Sequence, residues 1–319
     1  MVIFERSKDN EEMQPNHIYH IPHALDVQDI HQGFEYCNIY EIVIARLDKI
    51  HPVVSGNKLY KLKHFIAATL AGKKKGLITM GGAWSNHLAA TAVAAADHGI
   101  ESIGLVRGEI NDPNNAVLEI CRANGMKLIA IERDQFTENS SQIKAMLSSY
   151  PHFYFIPMGG NDSLGEKGCT EILSSIPHAE TYTHIFCAIG TGTTFRGIAA
   201  SAAAEQTVIG VPVLKIQKSE EAAFIQLHTQ ATGDCTKQVL FGYARKGYGG
   251  SDEALLSFIQ AFYQKTGIST DMVYTGKLMM ALNELLKNNL LPENSRALVI
   301  HTGGLLGNRS LKNDFFHWV

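Results

Sequence analysis

Short β-branched runs alternate with alanine-rich stretches along this chain, and several of the runs end in glycine. "GLITMGG" reads as a buried strand and "SNHLAATAVAAADHG" as a helix capped by Ser85 or Asn86 and stopped by Gly99. "ESIGLVRG", "NNAVLEICRANG" and "MKLIAIE" continue as strand, helix and strand. A second series follows: "THIFCAIG", "TTFRGIAASAAAEQ" and "VIGVPVL", then the helix "GKLMMALNELLKNN" and the strand "RALVIHTGG". Strands joined through helices run parallel, so the pattern predicts α/β architecture, with mostly parallel sheets covered by helices on both faces. The two series part near "SSYPHFYFIPMGG", which predicts two α/β domains, and 319 residues suffice for both. In open parallel sheets, ligands sit at the carboxyl ends of the strands. The glycine-rich strand ends are therefore where chemistry is expected.

Composition excludes several alternatives. A formal net charge of -3 gives no basic face for a nucleic acid. No apolar run approaches the roughly 20 residues needed to span a bilayer. The start, "MVIFERSKDNEEMQPN", is charged and lacks the apolar core of a signal peptide, so a cytoplasmic protein is expected. Cys37, Cys121, Cys169, Cys187 and Cys235 are scattered without a CxxC pair, which indicates neither a disulfide framework nor a zinc site. In "HIYHIPH", His17, His20 and His23 share a spacing of three, but Pro22 breaks the helix that would align them, and no metal is expected.

Two strand ends look built for anions. In "AIGTGTTFRG" an apolar strand ends in Gly190-Thr191-Gly192-Thr193-Thr194 and a helix starts at once. Glycines let backbone N–H groups turn inward and the helix dipole favours negative charge, as in a phosphate cradle. Phe195 stands where a dinucleotide fingerprint needs its third glycine, and no Walker lysine follows. In "MGGAWSNHLAA", Ser85-Asn86-His87 opens the helix after another glycine-ended strand, and free N–H groups there can hold a phosphate or a carboxylate. Hydroxyls at three of the five positions from Gly190 to Thr194 favour a bound phosphate over a merely structural turn, whereas the Ser85 segment alone is equally satisfied by an ordinary N-cap. Two in one chain point to two anionic groups.

A lysine completes the set. Ser55-Gly56-Asn57 is turn chemistry, and it leads directly into Lys58 at the mouth of a helix whose Leu59, Leu62 and Phe65 pack. Lys73 to Lys75, in "AGKKKG", read instead as solvated charge. A lysine that condenses with an aldehyde must be partly desolvated so that its amine can be neutral. One such lysine, one phosphate cradle and one carboxylate cradle are what pyridoxal phosphate chemistry requires.

The chain resembles the fold-type-II pyridoxal-phosphate enzymes, and within them the D-cysteine desulfhydrase / 1-aminocyclopropane-1-carboxylate (ACC) deaminase family. The resemblance runs from about Ile44 to Gly304 through "GNKLYKL", "GGAWSNH", "GTGTT", "VYTGK" and "IHTGG" in order. It implies two three-layer α/β/α domains with the cofactor in the cleft between them. Residues 1–57 plus 153–319 would form the larger, cofactor-binding domain and 58–152 the smaller. It implies that Lys58 carries the cofactor and acts as a base, and that Lys61 helps hold the phosphate with Thr191, Gly192, Thr193 and Thr194. Ser85 and Asn86 match the pair at the substrate carboxylate and the cofactor ring, and His87 and Thr275 join the substrate-binding group. Tyr274 and, by a weaker match, Tyr248 correspond to active-site tyrosines, and Thr302 falls beside the ring nitrogen. A small amino acid as substrate and a homodimer are also implied.

The chain departs from the family pattern in "DKIHPVVSGNK", which is shorter than usual before Asn57-Lys58 and lacks paired glycines. ACC deaminases carry an acidic residue after the active-site tyrosine and an apolar one before the last glycine pair. Here Thr275 and Thr302 stand, as in the desulfhydrase branch. A hydroxyl cannot keep the ring nitrogen protonated as a carboxylate would, and a moderate electron sink suits a substrate whose β-substituent leaves readily. The expected reaction is β-elimination from D-cysteine to pyruvate, ammonia and hydrogen sulfide, by a pyridoxal-phosphate lyase. Alternatives are an ACC deaminase or another lyase, synthase or racemase of the same fold. A nicotinamide-dependent oxidoreductase, against which the broken fingerprint counts, and a non-catalytic binding protein on the same scaffold rank lower.

Overall fold

The computed structural model describes residues 21–22, 24–34, 41–230 and 233–311. In chain order its elements are β1 (Val27–Asp29), β2 (Glu41–Ala45), α1 (Asn57–Ala71), β3 (Gly76–Gly82), α2 (Asn86–Asp97), β4 (Glu101–Arg107), α3 (Ala116–Ala123), β5 (Lys127–Ile131), α4 (Ser141–Ser149) and β6 (Phe153–Ile156). There follow α5 (Ser163–Thr170), β7 (His184–Ile189), α6 (Thr193–Ser201), β8 (Thr207–Pro212), α7 (Glu221–Thr229), β9 (Thr236–Val239), α8 (Glu253–Thr266), α9 (Thr275–Lys287) and β10 (Arg296–Ile300). They build a six-stranded sheet in the order β1-β2-β10-β7-β8-β9 and a four-stranded sheet in the order β5-β4-β3-β6. Every pairing is parallel except β1 with β2.

Each sheet is sandwiched between helices, and the strands read accordingly. On β7, Ile185, Cys187 and Ile189 enter one core with Phe195 and Ile198 of α6, while Phe186 and Ala188 enter another with Phe262 of α8 and Leu278 and Leu282 of α9. Alternate residues of a strand face opposite ways, so burial on both sides calls for the continuous apolar run seen in "HIFCAI". Cys187 is thus core, as its strand position predicts, and burial pushes its thiol up to about 12. In the smaller sheet, Leu77 faces Leu62 and Phe65 of α1, whereas Ile78 and Met80 face Ile143 of α4. Both units are therefore three-layer α/β/α.

The changeover between units falls later than a boundary at residue 153 allows. β6 pairs in parallel with β3, Gly76 opposite Phe153 and Thr79 opposite Ile156, and so completes the smaller sheet. The reason is burial: Tyr154 and Ile156 pack into the α1 side and Phe153 and Phe155 into the α4 side, which only a strand within that sheet can do. Helix α1 packs on α2 and also on α5, joining the two units along one helix.

Candidate active site

Helix α1 starts where it does because of a glycine. Gly56 has φ +64, and a Cβ there would lie 1.9 Å from the carbonyl oxygen of Thr302, just beyond the end of β10. Only glycine lets the two segments approach this closely. The Thr302 carbonyl then accepts from the Asn57 N–H at 3.3 Å. Asn57, buried at the first position of α1, donates through Nδ2 to Thr194 Oγ1 at 2.7 Å, and Lys58 Nζ donates to Asn57 Oδ1 at 2.5 Å. The amine of Lys58 lies 6.0 Å from the centre of the Tyr274 ring. Burial, with the charge of Lys61 nearby, lowers the Lys58 pKa to about 7. Lys61 is buried one turn along, its Nζ donating to the Gly159 carbonyl at 2.9 Å. Lys63 faces away and pairs with Glu171 at 2.5 Å.

At the end of β7, Gly192 occupies the left-handed region (φ +86) and α6 begins with no side-chain cap. The hydroxyls of Thr191 and Thr193 lie 3.0 Å apart, and Thr193 Oγ1 donates to Asn161 Oδ1 at 3.0 Å. Behind the loop stands Arg196, which the motif reading passed over. It donates to Glu166 at 2.8 Å, to Asn161 at 2.9 Å, to His228 Nδ1 at 3.1 Å and to the Thr191 carbonyl at 3.4 Å. Burial, then the neighbouring guanidinium, pushes the His228 pKa down to about 4, so its ring is a neutral acceptor. A Cβ on Gly192 would lie 2.1 Å from His228 Cε1 and 2.6 Å from Arg196 Nη1. Gly192 is thus required from behind the loop as well as by its backbone angle. A lone arginine in the otherwise apolar "TTFRGIAAS" was the available signal for Arg196; for Asn161, Glu166 and His228 there was none.

At the end of β3, Ser85 caps α2, its Oγ accepting from the Leu88 N–H at a long 3.4 Å. Asn86 is half-buried beside Gly307, whose Cβ position would lie 3.8 Å from both Asn86 Nδ2 and Val273, next to Tyr274. The start of α2 is therefore brought against the start of α9. His87 turns inward instead. Thr79 gives its own proton to the Ile156 carbonyl at 2.9 Å, so it can only accept from His87 Nε2 at 3.1 Å. That leaves His87 Nδ1 as a buried acceptor without a partner among the described residues. Burial, with Lys58 and Lys61 nearby, holds the His87 pKa well below its ordinary value. Its ring reaches the Gly160 backbone on the side that Lys61 also touches.

Tyr274 stands over the end of β7, where a Cβ on Gly190 would come 3.0 Å from its ring. Its hydroxyl meets that of Tyr248 at 3.0 Å, the rings lying nearly edge to face at 76°. Desolvation of the hydroxyl ends, where they meet, pushes both phenols above their ordinary pKa although the rest of the Tyr248 side chain is exposed, so each remains protonated. The residue that organises this corner is Asp271, fully buried. Its carboxylate accepts from the N–H groups of Val273, Tyr274 and Thr275 at 2.8, 2.6 and 2.9 Å and from the Thr275 hydroxyl at 2.5 Å. The Thr275 hydroxyl also accepts from the Asp271 N–H at 2.9 Å, so its hydrogen bonds are made to Asp271. Asp271 lies four residues before α9, whose cap position is Tyr274 without a side-chain cap, so no capping signal marked it.

Lys58, Lys61, the Thr191–Thr194 loop, Tyr248, Tyr274 and Thr302 thus converge at the carboxyl ends of β7 and β10, with Ser85 and Asn86 at the end of β3. Two desolvated amines, hydroxyls and an uncapped helix start fit a small aldehyde bearing a phosphate. Among the described residues no cluster of histidine, cysteine, aspartate or glutamate could hold a metal ion, and no helix is long and apolar enough to cross a membrane. Cys121, Cys169, Cys187 and Cys235 are free and buried. Cys37 and the His17, His20 and His23 cluster lie outside the described residues.

Comparison with known proteins agrees with this geometry. The family described as "pyridoxal-phosphate dependent enzyme" matches residues 34–303. D-cysteine desulfhydrase of Klebsiella pneumoniae (strain 342) is 29% identical over 294 residues, covering 83% of this chain and 87% of that protein. D-cysteine desulfhydrase of Salmonella typhi is 28% identical over 290 residues with the same coverage. A crystal structure of an ACC deaminase homologue has a TM-score of 0.77 at 22% identity, covering 95% of this chain and 96% of that one. Cysteine synthase from Entamoeba histolytica has a TM-score of 0.67 at 16% identity, covering 95% and 92%. At these identities the two structures speak to the fold, which is that of the fold-type-II enzymes.

Proposed function

The chain belongs to the family of pyridoxal-phosphate dependent enzymes, and on that premise we propose that it is a lyase that removes the β-substituent of a small amino acid, foremost D-cysteine. D-Cysteine and water would yield pyruvate, ammonia and hydrogen sulfide. The observation that carries this reading is the setting of Lys58. Its amine, with a pKa of about 7, is linked through Asn57 to Thr194 and lies within 6.0 Å of the Tyr274 ring.

Bound pyridoxal phosphate supplies the electron sink that makes the substrate's Cα proton acidic. The N–H groups and hydroxyls of Thr191 to Thr194, with Lys61, would hold its phosphate, and Thr302 would stand beside its ring nitrogen. Lys58 would anchor it, and the same amine, neutral near pH 7, would be the base that takes the substrate's Cα proton. Ser85, Asn86 and the first-turn N–H groups of α2 hold the substrate carboxylate. Tyr274 and Tyr248, both kept protonated, are the donors available to the departing sulfur. The likeness to the curated desulfhydrases supports D-cysteine, and family habit supports a homodimer in the cytoplasm.

The test is pyruvate release from D-cysteine, L-cysteine and ACC by cofactor-loaded protein. D-Cysteine should be turned over fastest. Preference for ACC would assign the deaminase reaction, and no turnover of any of the three would overturn the lyase reading.

A further inference from the structure

Lys277 has no exposed surface, and among the described residues its amine has one hydrogen-bond acceptor, a backbone carbonyl. Its Nζ donates to Gly247 at 2.7 Å, thirty residues earlier in the chain. Burying an ammonium on one neutral acceptor is a poor way to stabilise a core, because an apolar side chain of the same size would avoid the desolvation cost. What Lys277 grips explains its presence. Gly247 precedes Tyr248 in a loop that departs from ordinary backbone angles, with φ +55 at Arg245, +96 at Gly247 and +68 at Gly249. Tyr248 is 59% exposed, so packing alone does not hold it.

Tyr274 and Lys277 stand three residues apart at the start of α9 and so share a face. They reach consecutive residues of the loop: Tyr274 meets the Tyr248 hydroxyl at 3.0 Å, and Lys277 takes the Gly247 carbonyl. The far side of the loop is pinned by Arg245, which donates to Asp252, the cap of α8, at 2.8 Å. We infer that Lys277 is a positioning residue that fixes the phenol of Tyr248 against that of Tyr274. Burial lowers its amine to about 8, against the pull of Asp271 and Asp252, so it remains mostly charged at neutral pH. The inference rests on the proposed role of the tyrosine pair in proton handling.

The experiment is a double-mutant cycle on the holoenzyme with D-cysteine, using Lys277→Met, Tyr248→Phe and the two combined. Lys277→Met should lower kcat by about tenfold or more with KM held within about twofold, and should cost almost nothing further in the Tyr248→Phe background. Hydrogen–deuterium exchange of residues 244–250 in cofactor-free protein should quicken, with the rest of α9 unchanged. Equal losses in both backgrounds, or unchanged exchange in the loop, would overturn the inference. If Tyr248→Phe alone left kcat intact while the loop still loosened in Lys277→Met, the role of the tyrosines would fall, and the catalytic part of this inference with it. Lys277→Gln, a milder change, carries the same cycle if the methionine variant does not fold.

Discussion

The helices that leave β7 and β3 begin in different ways. Helix α6 starts at Gly192 in the left-handed region with no side-chain cap, whereas α2 starts at Ser85, whose hydroxyl takes the Leu88 N–H. The first turn of a helix presents unpaired N–H groups and the positive end of its dipole, and a cap satisfies part of that demand. The uncapped start is surrounded by hydroxyls and backed by Arg196, Glu166, Asn161 and His228; the capped one leans on Gly81 and an alanine-rich core. On the proposed function, a doubly charged phosphate that stays bound would sit at the first. A carboxylate that enters and leaves each turnover would sit at the second, where it competes with a 3.4 Å hydrogen bond.

Lys58 lies between the two ends, so its loss should affect both. Lys58→Ala should lower turnover by about a thousandfold or more while leaving the fold intact, since removing a positioned base costs roughly 10²–10⁴. Borohydride reduction of loaded wild-type protein should place a pyridoxyl group on the Lys58 peptide. Finding it on Lys61 or Lys63 would break the comparison at its centre. The pH dependence has a definite sign. The neutral amine is the nucleophile, and its pKa is lowered from 10.5 to about 7. Capture of pyridoxal phosphate by cofactor-free protein should therefore quicken as pH rises through about 7 and level off above it, instead of still climbing towards 10.5.

Gly192→Val tests the uncapped end alone. Its side chain must displace His228 or Arg196, so the loop should shift and cofactor affinity should fall about a hundredfold, on the scale of a strained backbone combined with overpacking. Dialysis against cofactor-free buffer measures this. Thr194→Ala removes the partner of Asn57 and one hydroxyl of the loop, and should weaken retention by about tenfold, near the 1.5–3 kcal/mol expected of a hydrogen bond to a charged group. Ser85→Ala should have the smallest effect and a different readout. Losing the cap costs about 1 kcal/mol of helix stability. KM for the amino acid should rise severalfold while cofactor retention stays unchanged. Cofactor loss in Ser85→Ala would show that the two ends do not divide the work.

Much of the architecture was readable from the chain because its causes are local. Glycines at strand ends, Ser85 before an apolar helix and the Gly56-Asn57 turn act through a residue's own backbone angles and its nearest neighbours. The alternation of "HIFCAI" with "TTFRGIAAS" likewise carries the parallel sheet without reference to distant residues. Other features were out of reach. β6 looks like any short apolar strand, and only the helices on both sides of the smaller sheet decide where it pairs. His87 sits at a helix start that reads as a binding site, yet Thr79 draws its ring inward. Thr275 is similar: Asp271, four residues before it and outside the cap position of α9, takes its hydroxyl.

The sequence by itself determined that this is an α/β protein with glycine-ended strands and one lysine delivered by a turn. Only the tertiary structure decided what those pieces do together. Asn57 meets Thr194 across 137 residues, His228 fills the space that makes Gly192 obligatory, and Lys277 donates to the carbonyl of Gly247, next to Tyr248. The physical reason is that backbone angles and caps are settled within a few residues. The direction of a side chain and the water it loses depend on which distant elements close over it. The lowered pKa of Lys58 belongs to the second class, since desolvation is its largest cause.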